Sequence, residues 1–554
     1  PLYFLNSNIE KRKKIGTAVL LVAVFASMYL STIDLAWHGF QVPNWLNYRY
    51  SFTFCFVMLI AAAEAFERIE GVTLKQIGIT LAILLVYVVY VDSLKLKHLP
   101  TTGAIWFSIL CIVGFGILLF YYKNHATVKT APLVLLILVV GELFGSTFDT
   151  LKAIDKDVTY SKHSSYVNYI EDGRELISDL EKIDGGLYRT EKTFHRTVND
   201  PMAWGFKGIS HSSSTLNAEA IQLIKRLGFT CGGHSIKYKG GTFASDAILG
   251  IKYVINKDED IYYEKEVLKK DDMTVYENPY ALPLAFLVDN GIKDVQMSSS
   301  NPFINQNSIL NGMTAEPYTD YFTEMEIANK NLENVTEGNS GDHRKYAPVD
   351  KDTVAQVEYL VDVPTDDISY MYLDTTYRRD VNYWVNNRFL DADKDNSNIH
   401  ALGRFDAGDT ISFITTLDAD DLLVKNMWFY QLDEEKLAET VEELKKSPLE
   451  IEEFTDTHIK GTVTAAENQT LFTTITDEPG WTIKIDGKKV EPVKLLNATI
   501  GVDVPVGTHV ITMDFFPKGL KIGLILSGIG IILVIFIGIF EYKRRKVLLK
   551  RLYN

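Results

Sequence analysis

An α-helical polytopic membrane region, a large extracellular β-rich domain of α+β, sandwich-like character, and a C-terminal transmembrane helix make up the fold class this sequence predicts. Three observations point to it. Apolar runs dominate residues up to about 150 and again after about 520, whereas the stretch between them is acidic and rich in Tyr, Asp, Asn and Thr. Lys and Arg crowd short segments beside the apolar runs. The middle stretch alternates apolar and polar residues in short runs separated by turn residues, the pattern of half-buried strands. A mean hydropathy of +0.01 therefore averages two unlike populations.

Crossing about 30 Å of hydrocarbon takes roughly 20 mostly apolar residues in a helix. Six runs approach or reach that length: 15–33, 51–66, 77–91, 104–122, 132–148 and 520–540. Burying six such segments in the core of one soluble protein is the poorer reading. Lys11, Arg12, Lys13 and Lys14 precede the first run, and Lys543, Arg544, Arg545 and Lys546 follow the last. Cytoplasmic loops carry the excess of Lys and Arg, so both ends are expected in the cytoplasm of a multi-pass cell-membrane protein. Six spans return the chain to its starting side, so the count agrees with the charges. Threading then puts Arg68, Lys75, Lys123 and Lys129 inside, and puts loop 34–50 and residues 149–518 outside, with Lys95 and Lys97 as exceptions. The short apolar stub Leu2–Leu5 is expected to be the last turn of a helix in a longer protein.

The expected organisation is a membrane region at 1–150, an outer α+β region at 151–350, a first sandwich-like region at 351–460, a second β-rich region at 461–518, and the last span with its basic tail at 519–554. Tyr166, Ile170, Ile177 and Leu180 fall on one face of an amphipathic helix over 166–183. Residues 356–373 and 401–415 suggest one sheet system, 433–446 is helix-prone, and 462–516 gives further strands. Asp486-Gly487 after 481–485 is a tight-hairpin signal. The final strand, 508–516, runs almost directly into the last span.

The formal net charge of -15 and pI near 5.3 argue against a nucleic-acid surface. Three cysteines, two of them in apolar runs, build neither a disulfide framework nor a Cys-based zinc site. Asp391, Asp393 and Asp395 alternate like the start of a calcium loop, but Asn396 and Leu402 stand where that loop needs Gly and Glu. A solvated turn is the reading kept. His195, His211 and His234 lack metal-ligand spacing. No cofactor is evident, and nothing in the sequence supports a divalent metal.

Two places carry candidate residues. The loop 37–52 is dense in aromatics and holds Asn44, Trp45, Tyr48 and Arg49. One reading is an interfacial aromatic belt with Arg49 meeting lipid phosphate. The other is a groove for a phosphate-bearing lipid, with Arg49 as a bidentate phosphate contact and the aromatics against a sugar or isoprenoid. Glu142 lies ten residues into the fifth run, about 15 Å along the helix. An ionisable group at that depth costs a few kcal/mol and faces protein or water. Helix packing and a proton or substrate pathway both account for it.

The run Pro43-Asn44-Trp45 through Tyr48-Arg49-Tyr50-Ser51-Phe52 resembles the bacterial YfhO membrane protein family. Further segments agree in order: Tyr188-Arg189, Asn199-Asp200-Pro201-Met202, Ser213–Asn217, Leu249–Val254, Tyr276-Glu277-Asn278, Ala281–Ala285, Gly480-Trp481 with Asp486-Gly487, and Pro505–His509. The resemblance implies a polytopic envelope protein of the GT-C glycosyltransferase type that uses a polyprenyl-phosphate-linked sugar to modify a wall polymer such as teichoic acid. Its expected partners are membrane lipids, that donor and the polymer acceptor, with no nucleic acid. In GT-C enzymes the catalytic acid lies in the first outward loop, expected upstream of this chain, so no catalytic residue is carried over. A membrane-anchored carbohydrate-binding module without catalysis, and a transporter or flippase for lipid-linked sugars, are the alternatives.

Overall fold

The computed structural model describes residues 1–43, 47–94, 102–124, 130–158, 160–257, 262–315, 317–417 and 421–553. The chain divides into two compact units, Pro1–Lys162 and His163–Asn554.

The first unit is helical. All six apolar runs become helices: Lys11–Ser27 continued by Ser31–Trp37, then Ser51–Glu67, Leu74–Ser93, Thr102–Asn124, Ala131–Asp157 and, in the second unit, Leu520–Tyr553. Four are long and apolar enough to cross a membrane: Leu74–Ser93, Gly103–Asn124, Pro132–Asp157 and Leu520–Val547. The first run differs from a single straight span, because Lys11–Ser27 and Ser31–Trp37 meet at a bend of 97°. Counting that pair as one span brings the total among the described residues to five. Ser51–Glu67, at 17 residues, falls short in length. Pro132–Asp157 is longer than its apolar run, and its charged last turns extend beyond what hydrocarbon requires.

Charge gathers at one end of this unit. Lys13 pairs with Glu64 at 3.0 Å, Arg68 with Glu64 at 3.4 Å, and Lys123 Nζ donates to the carbonyls of Ile69 at 3.3 Å and Glu70 at 2.5 Å. Arg68 also donates to Asn8 O, while Asn6 Nδ2 donates to Arg68 O. Three basic residues expected on one side of the membrane therefore share one end of the bundle.

The second unit opens with the amphipathic helix His163–Ile183. Its Ile170, Leu176, Ile177 and Leu180 pack on Tyr253, Ile255 and Val275 of a four-stranded sheet. In that sheet Arg189–Lys192 runs parallel to Ile251–Asn256, followed by Met273–Glu277 and Lys265–Lys270. A nine-stranded sheet comes next. Its strand Ala355–Asp362 buries Ala355, Val357, Tyr359 and Val361 in strict alternation. The first part of Ile368–Val385 is buried on both faces: Tyr370 and Tyr372 enter one core, and Met371 and Leu373 the other. The turn between Ile368–Val385 and Arg388–Arg404 is Asn386-Asn387, both at positive φ. Asp391, Asp393 and Asp395 belong to Arg388–Arg404, so the expected turn is instead a strand. Sheet pairing with Ile368–Val385 outweighs the low strand propensity of aspartate there.

A two-sheet sandwich closes the domain. One sheet orders Glu450–Phe454, His458–Ala465, Gly507–Phe515, Trp481–Ile485 and Lys488–Val490; the other orders Val493–Leu495, Thr499–Val504, Gln469–Thr476 and Ala285–Val288. Val463, Ile483, Ile511 and Met513 of the first meet Leu287, Leu471, Ile500 and Val502 of the second. Asp486 and Gly487 have φ of 49° and 77°, the signs of the predicted tight turn. Helix Glu434–Leu444 is capped by the Asp433 side chain, matching the helix-prone patch.

Candidate functional site

The helical unit holds one recess that bears on the sequence candidates. Glu142 lines a cleft of about 670 Å³ walled by residues of Leu74–Ser93, Thr102–Asn124 and Ala131–Asp157. Asp149 lines it too, two helical turns further on. Ser108, Cys111 and Ser146 supply the other polar positions among apolar walls. Gly145 sets the packing here, since a Cβ would sit 2.3 Å from the Phe107 ring. Glu142 is itself an exposed position on its helix, and in a bilayer an acid at such a place is expected to turn toward protein or water.

The described residues of the aromatic loop are separate from that cleft, whose lining includes none of them. Asn44 and Trp45 lie outside the described residues. Tyr48 and Arg49 sit in a turn, both exposed, with Tyr48 at a φ of 58°. Beside them Trp37 stacks on Tyr50 at 4.7 Å between centroids, and Asp34 lies 3.6 Å from His38. The structure thus places Glu142 in a recess and Tyr48 and Arg49 on a surface, and does not join them.

The richest constellation lies in the second unit, around the strand Arg189–Lys192. Three adjoining clefts of about 280, 410 and 420 Å³ share walls at Asp184, Gly186, Leu187, Tyr188, Phe206 and Lys207. The third is lined by Arg189, Met202, Phe206, His211, Asp456 and Trp481, among others. Four of the segments quoted for the family resemblance contribute to it: Tyr188-Arg189, Pro201-Met202, Leu284 and Trp481.

Buried charge holds these walls. Arg189 Nη1 donates to Leu249 O and Thr474 Oγ1, each at 2.6 Å, and Nη2 donates to Thr474 O at 2.9 Å. This ties the first strand of the unit to the closing sandwich. Burial lowers the guanidinium pKa to about 10, which leaves it charged at neutral pH. Glu191 is fully buried and accepts from Ile209 N–H at 2.5 Å, Ser210 N–H at 2.8 Å and Ser210 Oγ at 2.9 Å. It thereby fixes the cleft-lining segment Gly208-Ile209-Ser210, and Gly208 is needed because a Cβ would come 2.6 Å from Glu191 Oε1. Burial nevertheless raises the Glu191 pKa to about 7.

Lys192 and Asp200 form a buried ion pair at 2.6 Å. Lys192 also donates to Tyr169 Oη at 2.8 Å and Phe194 O at 2.5 Å, and lies 4.9 Å from the Trp204 ring. Asp200 accepts in addition from the N–H groups of Arg196 and Thr197. Every charged position of that pair is satisfied, which is what burial of an ion pair requires. By contrast Asp246 Oδ2 accepts from Tyr238 and Tyr263 while Oδ1 has no partner, and burial raises its pKa to about 7. His195 engages Tyr238 O at 3.3 Å through Nε2, its Nδ1 is buried without a partner, and burial beside Lys192 lowers its pKa to about 4. Sequence reasoning passed over Glu191, Asp246 and the Arg189 clefts, since no local spacing links residues 285 positions apart. The signal available was the motif order itself.

Comparison with known proteins adds the following. The family described as bacterial membrane protein YfhO matches residues 1–527. A curated relative, the uncharacterized protein YfhO of Bacillus subtilis (strain 168), is 23% identical over 574 residues, covering 96% of this chain. The chain spans 63% of that relative's length. Among solved structures, a glycosyl hydrolase family 2 member from Bacteroides cellulosilyticus is 9% identical, covers 30% of this chain and 22% of its own, and has a TM-score of 0.14. An anti-sigma factor domain-containing protein from Clostridium clariflavum is 9% identical, covers 29% and 76%, and has a TM-score of 0.11. Likenesses this slight carry no argument about fold or activity.

Proposed function

The chain belongs to the bacterial membrane protein YfhO family, and on that premise we propose that it is the C-terminal part of a cell-envelope glycosyltransferase of the GT-C type. It takes a sugar from a polyprenyl phosphate at the outer face and places it on a wall polymer such as teichoic acid. The observation that carries this reading is the family match over residues 1–527. Two further observations support it: several apolar helices long enough to span a membrane, and a large β-rich domain in the same chain. In this reading the basic end of the bundle, with Lys13, Arg68 and Lys123, faces the cytoplasm, and the β-rich domain faces outward. Tyr48 and Arg49 meet the phosphate of the lipid-borne donor at the outer leaflet.

Because the chain covers 63% of its relative, the proposal concerns the activity of the whole protein. Deleting the gene in a host without a second family member and analysing wall-polymer sugars tests it. Loss of one sugar substituent is expected; an unchanged sugar profile sinks the reading. The cleft at Glu142 favours a second reading, a translocator of lipid-linked sugars. Glu142→Gln separates the two when translocation and transfer are assayed apart.

A further inference from the structure

The adjoining clefts around Leu187–Arg189 have a composition that suits one class of ligand. Trp481 and Phe206 are half-buried, and Met202 is 77% exposed at the edge of the same recess. Aromatic faces and a thioether give apolar area, on which the C–H faces of a pyranose ring can stack. Around them stand groups able to bond hydroxyls: Lys207, Asp456, Thr455 and His211, whose Nδ1 already engages Ile209 O at 3.2 Å. Recesses that are largely apolar with a few convergent polar groups are the usual form of small-ligand sites.

The charges here are mixed. Lys207 and Asp456 line one cleft, and Asp184, Glu277, Lys252 and Lys445 line its neighbour. Lys252 and Asp184 are already paired at 2.5 Å. A strongly anionic ligand would meet these carboxylates, so a neutral sugar fits better than a run of phosphates. The extent also matters. Neighbouring clefts that share wall residues extend the recess lined by Trp481, which gives room beside it for further linked units.

The walls are held before any ligand arrives. Arg189 ties the Arg189–Lys192 strand to Thr474, and Glu191 ties down Gly208-Ile209-Ser210. A binding surface fixed by buried hydrogen bonds loses little conformational freedom on binding.

We propose that this groove is a binding site for a neutral oligosaccharide, with Trp481 and Phe206 as the stacking platform. The inference rests on the transferase reading only in making that oligosaccharide a neutral glycan portion of the acceptor, distinct from any phosphate-rich backbone. Binding is measured without any donor, so its failure is distinguishable from failure of transfer.

The test uses the full chain in lipid nanodiscs with four probes, the trisaccharides chitotriose, cellotriose, maltotriose and mannotriose, followed by saturation-transfer NMR and titration. At least one is expected to bind, with its ring protons as the nearest to protein. Trp481→Ala should weaken that binding tenfold or more, and Trp481→Phe threefold or less. Met202→Glu, at an exposed position whose replacement spares the fold, should weaken it at least threefold with the melting temperature unchanged. Absence of binding by all four trisaccharides overturns the proposal. So does equal binding by wild type, Trp481→Ala and Met202→Glu, which would put the sugar elsewhere on the protein.

Discussion

The Glu142 cleft and the Arg189 groove are both recesses with carboxylates in their walls, yet they hold charge by opposite means. Around Glu142 the neighbours are apolar side chains with a few small polar ones, and the acid has no ion pair among the described residues. Along the strand Arg189–Lys192 the charges have directed partners: Arg189 on Thr474, Glu191 on Ser210, and Lys192 on Asp200. The difference teaches where stability and where function are exposed to mutation. In the groove a lost partner strands a buried charge, so architecture fails first. In the cleft the carboxylate supports little packing, so any task it performs fails first.

The largest break should come at the buried ion pair. Asp200→Ala leaves Lys192 uncompensated and is expected to cost about 3–5 kcal/mol, read as a large fall in the domain's melting temperature. The double change Lys192→Met with Asp200→Leu should recover part of that loss. It cannot recover all, because the N–H groups of Arg196 and Thr197 also lose their acceptor. Next in size is Arg189→Met, which removes a half-buried cation together with its three hydrogen bonds and should cost about 2–3 kcal/mol. If either variant melts like wild type, the groove is not held in the way described.

A pH series sharpens the same contrast. Glu191 and Asp246 titrate near 7 in the folded protein, against ordinary carboxyl values in the unfolded chain. Folding therefore takes up protons between roughly pH 4 and 7. Their contribution to stability is full below that window and is lost as pH rises through 7. His195 acts in the opposite sense. Its folded pKa of about 4 lies below the ordinary histidine value, so the unfolded chain binds the extra proton and stability falls as pH drops through the window. Glu191→Gln combined with Asp246→Asn should thus reverse the slope of melting temperature between pH 4.5 and 6.5, leaving stability to rise with pH. An unreversed slope would mean that the two acids do not dominate this window.

The smallest expected effect on stability is at Glu142. Glu142→Gln keeps the shape of the side chain and should change stability by less than about 1 kcal/mol, as measured by thermal unfolding in nanodiscs. Loss of transport or transfer without loss of folding would complete the contrast between cleft and groove.

The sequence made some of this legible and hid the rest for physical reasons. Local signals read well: Asp486-Gly487 required a primed turn, Asp433 capped a helix, and the 3.6-residue period placed Ile170, Ile177 and Leu180 together. Family membership was legible from the order of short motifs. The 97° bend at 28–30 was not, since Met28-Tyr29-Leu30 contains neither Pro nor Gly. The strand through Asp391 depends on its partner Ile368–Val385 and not on its own residues. Arg189 and Thr474 meet only once the domain is closed, and no sequence period predicts such a pair.

The passage from the last strand to the last helix has a consequence for the order of events during synthesis. Gly507–Phe515 lies between His458–Ala465 and Trp481–Ile485 in its sheet, so it is an interior strand. It is also the last of the described strands in chain order, and Leu520 begins the apolar helix four residues beyond Phe516. Until the ribosome passes that point, the sheet is divided in two, with open edges facing the missing strand. The strand that completes the sheet and the final apolar helix are therefore adjacent in the order in which the chain is synthesised. A slow codon or a weakened pairing at this place would hold both at once.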